Sequence, residues 1–205
     1  MNIRLDIKKA WTFLKEDSWS SWIVSLILIV LFIKLAFFPV LSLIFGSPLP
    51  LVIVESCSMY HDSSFAEWWA GNEAYYSQFG ISKSDFQDYR FKNGLNKGDI
   101  IIVWGKSEYK KGDIIIFRAN QNSLQKNPII HRVIEEKDGS VGTKGDNNPN
   151  QLKSGDPGNL GNIDETAIGS SQILGKAVGK IPFLGWIKLI FFEYSRPEYQ
   201  KGLCS

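Results

Sequence analysis

The fold is decided by three runs of β-branched residues: GDIIIVW at residues 98–104, KKGDIIIFRA at 110–119 and PIIHRVIEE at 128–136. Isoleucine and valine are enriched in strands, and each run is bounded by residues that favour turns. Two further β-like pieces lie around residues 139–143 and 173–179. The sequence therefore predicts a body that is mainly β.

An apolar segment precedes this body. The stretch WIVSLILIVLFIKLAFF at residues 22–38 contains one charge, Lys34, and continues past Pro39 into VLSLIF. At 1.5 Å per helical residue it is long enough to cross a hydrocarbon core of about 30 Å. The run is too long for the apolar region of an ordinary signal peptide, so we expect one retained transmembrane helix.

The basic residues that flank this helix are distributed unevenly. After Lys34, the next Lys or Arg is Lys83. Four basic residues precede the helix: Arg4, Lys8, Lys9 and Lys15. Positive charge accumulates on the cytoplasmic side, so we expect a single-pass plasma-membrane protein with a cytoplasmic amino terminus and an extracytoplasmic body.

These features predict three regions. Residues 1–18 form a cytoplasmic segment, residues 19–45 the transmembrane anchor, and residues 46–205 the extracytoplasmic domain. Within that domain, residues 61–96 form an aromatic, partly helical insertion that we interpret as structural rather than as a cap over a substrate. The apolar segment at residues 181–197 is too short for a second span, and it can pack on the body or rest at the membrane surface.

Composition excludes several functional classes. The 205 residues carry a net charge of +2, and the 23 Lys and Arg residues are scattered, which is not typical of a nucleic-acid-binding surface. The two cysteines, Cys57 and Cys204, form no CxxC pair, which argues against a zinc site and against a disulfide scaffold. We expect no metal and no cofactor.

The stretch ESCSMYH at residues 55–61 places Ser58 in a turn of small residues just after an apolar strand. A serine hydroxyl needs a base to act as a nucleophile, and the chain offers only His61 and His131. His131 follows two isoleucines on a predicted strand, which would hold its imidazole half-buried and oriented. It is therefore the better candidate base.

A third group, a carboxylate, would orient that imidazole. Asp146 follows a predicted strand at the start of a loop rich in Asn, Gly, Asp and Pro, at residues 146–164, and Asp156 and Asp164 lie within the loop. Each also fits an Asx turn, in which the carboxylate binds only local backbone.

Taken together, these motifs resemble the type I signal peptidase family, in the archaeal and endoplasmic reticulum branch that uses Ser and His. SCSM (56–59) resembles the nucleophile box, KKGDIIIFRA a family strand, HRVIE (131–135) the box that carries the base, and TKGDNN (143–148) the box that carries an aspartate. GKAVGKIPFLGWIKL (175–189) is similar to the closing segment of archaeal members. The insertion at residues 61–96 is unmatched.

The resemblance implies a signal-peptidase-like β-fold and a membrane-bound serine endopeptidase that removes signal peptides. Ser58 would be the nucleophile, His131 the base, Asp146 or Asp156 the acid, and Ser56 with the Ser58 N–H the oxyanion hole. The implied partners are preproteins with signal peptides, the lipid bilayer and the translocation machinery, without nucleic acid.

The chain departs from the family pattern at three places. Cys57 replaces a glycine, which raises a Cys57–His131 dyad as a rival. Tyr60 and His61 replace the usual proline, so His61 becomes a second possible base. Leu152 stands where the family often has its essential aspartate. The carboxylate that orients the base is therefore either Asp146 or Asp156, and Asp164 is the third candidate.

Two other functional classes are alternatives to this interpretation. A self-cleaving repressor protease would carry a DNA-binding domain where this chain has an anchor. A membrane-tethered β-domain without catalytic activity would bind a protein partner through the aromatic insertion.

Overall fold

The structure, a computed structural model, describes residues 3–106 and 108–204. The chain divides into two compact units, Met1–Ile44 and Phe45–Ser205. Within the described residues the helices are α1 (Ile3–Leu14), α2 (Trp19–Phe32), α3 (Phe38–Phe45), α4 (Phe65–Ser77), α5 (Lys83–Asp88) and α6 (Trp186–Phe192). The strands are β1 (Leu51–Ile53), β2 (Ile100–Trp104), β3 (Ile114–Phe117), β4 (Ile129–Lys137), β5 (Ser140–Lys144), β6 (Ile168–Gly169) and β7 (Ile173–Ile181).

One continuous apolar helical stretch, Trp19–Phe45, lies almost wholly in the first unit. It contains an 18-residue window with a mean hydropathy of 2.8 and is long and apolar enough to cross a membrane. A π-helical turn, Ile33–Phe37, joins α2 to α3. There the Phe38 N–H donates to the Ile33 carbonyl, five residues back, just before Pro39, which has no N–H to donate. The sequence prediction of one apolar helix near the amino terminus matches this element.

The second unit is built on one antiparallel sheet with the strand order β1-β2-β7-β3-β4-β5-β6. Strand β7 lies between β2 and β3, so the last long strand joins the two halves of the sheet. The register shifts at Ile102/Val103, Ile116/Phe117 and Val133/Glu135, and such bulges increase strand twist and curl the sheet. The predicted mainly β fold is confirmed, including each of the five predicted strands.

The isoleucine-rich runs are buried because both faces of the sheet are covered. On one face a core forms around Met59, Ile101, Val103 and Ile116. On the other, Ile115, Phe117 and Val133 pack with Ile168.

The insertion forms a satellite core of its own. Helix α4 begins at a capping box between Ser64 and Glu67, and its aromatic side chains pack with those of α5 against Ile134 of strand β4. The buried members are Trp68, Trp69, Tyr76, Ile81 and Phe86. The insertion is therefore an aromatic subdomain packed on the sheet.

Candidate active site

Ser58 lies in a tight turn that follows strand β1. The strand's hydrogen bonding extends to Val54, whose N–H donates to the Asp99 carbonyl, and the Tyr60 N–H then closes the turn on the Cys57 carbonyl at 3.1 Å. Met59 is fully buried and anchors the turn in the core. The turn thus holds the Ser58 backbone while its hydroxyl points away from the core side chain beside it.

His131 meets this hydroxyl from strand β4. Its Nε2 lies 2.9 Å from Ser58 Oγ, and its ring is almost entirely buried against the edge of Phe117. His131 pairs with Ile115 in the antiparallel ladder between β3 and β4. The imidazole is therefore fixed by a central strand rather than by a loop, as a positioned base requires.

The other nitrogen of His131 contacts a carboxylate that is not among the three aspartate candidates. Nδ1 lies 2.5 Å from Oε1 of Glu165, which has no exposed surface. The Thr143 hydroxyl also donates to Oε1, at 2.9 Å, and the Leu152 N–H donates to Oε2 at 2.9 Å. A carboxylate accepting from Nδ1–H leaves Nε2 free to accept the serine proton.

Backbone pairing delivers Glu165 to this position. The Thr143 N–H donates to the Glu165 carbonyl, and the Glu165 N–H donates to the Leu152 carbonyl, both at 2.9 Å. The Gln151 side chain adds a bond to the same Glu165 carbonyl. Leu152 stands where the resembled family often has its aspartate, so the carboxylate of Glu165 arrives beside that position from thirteen residues further along the chain.

Asp146 is placed elsewhere, on the far side of the turn from His131. Its carboxylate accepts from Arg132 at 2.7 and 2.9 Å, from the Tyr76 hydroxyl at 3.0 Å, and pairs with His61 Nε2 at 3.1 Å. Burial alone would raise the pKa of Asp146, but the Arg132 guanidinium and the His61 bond outweigh it and hold that pKa well below its ordinary value.

Arg132 completes this buried network. Beyond Asp146, its guanidinium donates to the carbonyls of Arg90, Phe91 and Gly112, and it stacks over the Phe86 ring at 4.5 Å. All five of its N–H groups are thus used. Since three of these contacts lie in residues 61–96, the Asp146–Arg132 pair ties the insertion to the sheet.

The other acidic candidates lie outside the cluster around His131. Asp156 is exposed in the long loop, where its backbone makes local turn bonds to Lys153 and Asn159. Asp164 accepts from the backbone and hydroxyl of Thr166 at 2.9 and 2.6 Å, which is an Asx turn. The structure therefore brings Ser58 and His131 together with Glu165, and not with Asp146, Asp156 or Asp164.

Ser56 lies next to the nucleophile candidate, with its Oγ 3.1 Å from Ser58 Oγ. Across residues 3–106 and 108–204, no acceptor takes a hydrogen bond from the Ser58 N–H, whereas the Ser58 carbonyl accepts from Asn147 N–H at 2.8 Å. The Ser56 hydroxyl thus lies within hydrogen-bond distance of Ser58 Oγ.

Cys57 is joined to Cys204 by a disulfide across 147 residues. The sequence argued against a disulfide scaffold, but the structure contains this one disulfide among the described residues, and Cys57 therefore offers no thiol for a dyad with His131. The sequence does not indicate this disulfide because Cys57 and Cys204 are 147 residues apart and form no recognisable spacing pattern.

His61, the alternative base, stacks on Trp68 with ring centroids 3.7 Å apart and directs Nε2 to Asp146. Its Nδ1 is buried and has no hydrogen-bond partner within the described part of the chain. His61 is thus a member of the insertion core rather than a partner of Ser58.

Gly145 lies directly against His131 and Ser58. A Cβ at this position would be 2.8 Å from His131 Nε2 and 2.8 Å from the Ser58 carbonyl oxygen. Its neighbour Lys144 is fully buried and donates to the carbonyls of Gly145 and Asp146, at 3.0 and 3.3 Å. Burial lowers the pKa of Lys144 to about 8, although nearby carboxylates act in the opposite direction.

A cavity of about 340 Å³ opens beside Asp146 and Asn147. Its walls come from the insertion, including Asp62, Glu67 and Trp68, and from the loop that begins with Asn147 and Asn148. Among the described residues no group of three His, Cys, Asp or Glu side chains is arranged to hold a metal ion.

The chain has a recognisable similarity to one curated protein. It is 26% identical over 102 residues to the signal peptidase complex catalytic subunit SEC11 of Colletotrichum graminicola. The alignment covers 48% of this chain and 56% of that protein's length, so the chain spans little more than half of the relative it matches. No protein-family model matches the chain. Together with the apolar helix, this similarity indicates a membrane-associated protein that resembles a signal peptidase subunit over about half of its length.

Proposed function

We propose that this chain is a membrane-bound serine endopeptidase that removes signal peptides from translocated preproteins. One observation carries the proposal: Ser58, His131 and Glu165 form a continuous chain of hydrogen bonds of 2.9 and 2.5 Å, from a surface turn to a fully buried carboxylate. The similarity to SEC11 supplies the substrate class, because that protein is a signal peptidase subunit.

In the proposed reaction, Ser58 Oγ attacks the carbonyl carbon of the scissile bond while His131 Nε2 accepts the hydroxyl proton. The Ser58 N–H and the Ser56 hydroxyl donate to the oxygen on which negative charge develops. Collapse of the intermediate breaks the C–N bond, and His131 gives the proton to the leaving amine. A water molecule, deprotonated by His131, then hydrolyses the acyl-enzyme.

Glu165 acts in this scheme through His131. Its carboxylate selects the tautomer with a bare Nε2 and stabilises the imidazolium that forms during attack. Asp146 instead holds the turn and the insertion together through Arg132, so its contribution is to the architecture around the site.

The proposed location is a membrane, with the domain from residue 46 on its extracytoplasmic side and the bilayer as a partner. The charge bias around the anchor supports this orientation. Contact with the bilayer is supported by an apolar surface on the body. There, between 66% and 93% of the surface of four residues is exposed: Ile187, Ile190, Phe191 and Tyr194. An impermeant maleimide applied to intact cells should label Leu160→Cys, an exposed loop position, and labelling only after permeabilisation would contradict this orientation.

The function is tested by expressing the full chain in membranes and following cleavage of a preprotein, with the new amino terminus identified by mass spectrometry. Cleavage should require Ser58 and disappear in Ser58→Ala. A well-folded wild-type chain that leaves preproteins uncut, yet retains a protein partner, would instead indicate the non-catalytic membrane-tethered domain.

A further inference from the structure

The segment on the amino-terminal side of Ser58 is held by the end of the chain. Residues 193–204, which we call the C-terminal brace, reach it through the Cys57–Cys204 disulfide, whose Cα atoms are 5.5 Å apart. Cys57 immediately precedes Ser58 in the sequence. The brace is therefore covalently attached one residue from the proposed nucleophile.

A second attachment lies two residues earlier, at Glu55. Arg196 donates from Nη1 to the Glu55 carbonyl at 2.8 Å and from Nη2 to Oε2 at 3.0 Å. Lys188 of helix α6 approaches the other carboxylate oxygen at 3.3 Å. Ser56, a proposed oxyanion-hole residue, lies between the two attachments.

The brace itself is fixed to the body by a buried lysine. Lys97 has almost no exposed surface, and its Nζ donates to the carbonyls of Gln200 and Gly202 at 2.6 and 2.9 Å and pairs with Glu193 at 2.8 Å. Glu193 in turn accepts from the Gly202 N–H at 2.8 Å. Burying an ammonium group is costly unless it is paired, so these contacts hold the brace in one place.

Other support for residues 55–58 comes from the body, where Asn127 donates to Glu55 Oε2 at 3.3 Å and His131 bonds to Ser58 Oγ at 2.9 Å. Strand pairing ends at Val54, and Asn147 then contacts the carbonyls of Cys57 and Ser58 from the side of the TKGD turn. The brace adds to these contacts a covalent bond at Cys57 and a backbone contact at Glu55, one on each side of Ser56.

We propose that the C-terminal brace is a positioning element for the oxyanion hole and nucleophile, and that reduction of the Cys57–Cys204 disulfide lowers turnover without dismantling the sheet. This inference rests on the proposed function. A dithiol reductant would convert the disulfide into two thiols and itself become a disulfide, with two electrons and two protons transferred.

The effect should fall on kcat. Catalytic groups must be held to within fractions of an ångström, and a displacement of about 1 Å can cost on the order of 10²-fold in rate. We expect Cys57→Ser/Cys204→Ser, assayed in full chain below its melting temperature, to lose about 10- to 100-fold in kcat with little change in KM. Arg196→Gln, which keeps the disulfide, should lose less, and Arg196→Lys should recover part of that loss.

The matched control is Lys176→Gln, which removes an ion pair with Asp113 on the body at a comparable half-exposed position. It should leave kcat unchanged. Added dithiol should lower kcat of the wild type to that of the double variant and leave the double variant unaffected. Unchanged kcat in both the double variant and Arg196→Gln would overturn the proposal.

A readout independent of catalysis separates this proposal from the proposed function. In a Ser58→Ala background, amide hydrogen exchange of residues 55–60 should accelerate on reduction of the disulfide, while exchange in strands β3 and β4 stays slow. Unchanged exchange at residues 55–60 would refute the brace even if the peptidase is active. Faster exchange with no Ser58-dependent cleavage would keep the brace and reject the peptidase.

Discussion

Replacement of Glu165 by Gln tests which carboxylate serves His131. Three donors converge on the Glu165 oxygens: Nδ1–H of His131 and the Thr143 hydroxyl on Oε1, and the Leu152 N–H on Oε2. The Leu152 N–H belongs to the backbone and can only donate, so an amide must present its oxygen there. An NH2 group facing Leu152 would leave a buried donor unpaired, at a cost of about 1–3 kcal/mol.

The amide NH2 must then face His131 and Thr143. The Thr143 hydroxyl can rotate to accept, and His131 can accept at Nδ1 only by moving its proton to Nε2. In that tautomer Nε2 cannot take the proton of Ser58. The equivalent change in a serine protease lowers kcat by about 10⁴, which is roughly 5 kcal/mol of transition-state stabilisation, and we expect a loss of about 10³–10⁴ here.

Turnover and tautomer can be measured on the same variant. Preprotein cleavage should show a lower kcat with KM nearly unchanged, because the loss arises in the transition state. With only two histidines in the chain, ¹⁵N NMR can distinguish the His131 tautomer directly. Asp156→Asn, in the exposed loop, is the control and should retain wild-type turnover. Near-normal kcat in Glu165→Gln, beside inactive but folded Asp146→Asn, would refute this reasoning and return the acid's role to Asp146.

Three further outcomes follow from the site. His131→Ala should lower kcat by about 10³ or more, whereas His61→Ala should mainly lower the melting temperature; preprotein cleavage and thermal unfolding separate the two. Gly145→Ala should reduce kcat because its methyl group displaces His131 Nε2 and the Ser58 carbonyl, and a wild-type rate would contradict the close approach. The depressed pKa of Lys144 means that the unfolded chain binds more protons between pH 8 and 10, so unfolding free energy should rise with pH across that window; denaturant titrations should show the rise weakened in Lys144→Met.

Asp146→Asn is expected to act on stability. Removing one partner of a buried ion pair costs about 3–5 kcal/mol, since the fully buried Arg132 loses its countercharge. The pKa of Asp146 is lowered on folding, so its contribution is present above the pKa of the unfolded carboxyl, near 4, and is lost as pH falls through the lower folded value. Acid unfolding of the wild type and of Asp146→Asn checks this prediction, and identical acid transitions would contradict it.

The sequence predicted the strands well because isoleucine-rich runs between turn residues have few alternatives to a buried strand. It also singled out Ser58 and His131, since a chain with two histidines offers little choice of base. Glu165 was not predicted. It lies nineteen residues beyond Asp146, directly after the loop whose aspartates are the acidic candidates, and its approach to His131 depends on pairing with Leu152 and Thr143 that leaves no periodic signal. The strand that follows Glu165, β6, has only two residues and leaves no strand pattern in the sequence.

The position of β7 between β2 and β3 has a consequence for the order of synthesis. Ser58 follows β1, which pairs with β2, whereas His131 lies on β4, which pairs with β3, and β7 is the strand that joins these two halves. Residues 173–181 leave the ribosome after every other strand of this sheet. A nascent chain that has exposed both reactive groups therefore cannot yet bring them together, because long-range pairing must wait for the final strand. On the proposed function, the polypeptide should thus remain unable to cleave other chains until strand β7 has been synthesised.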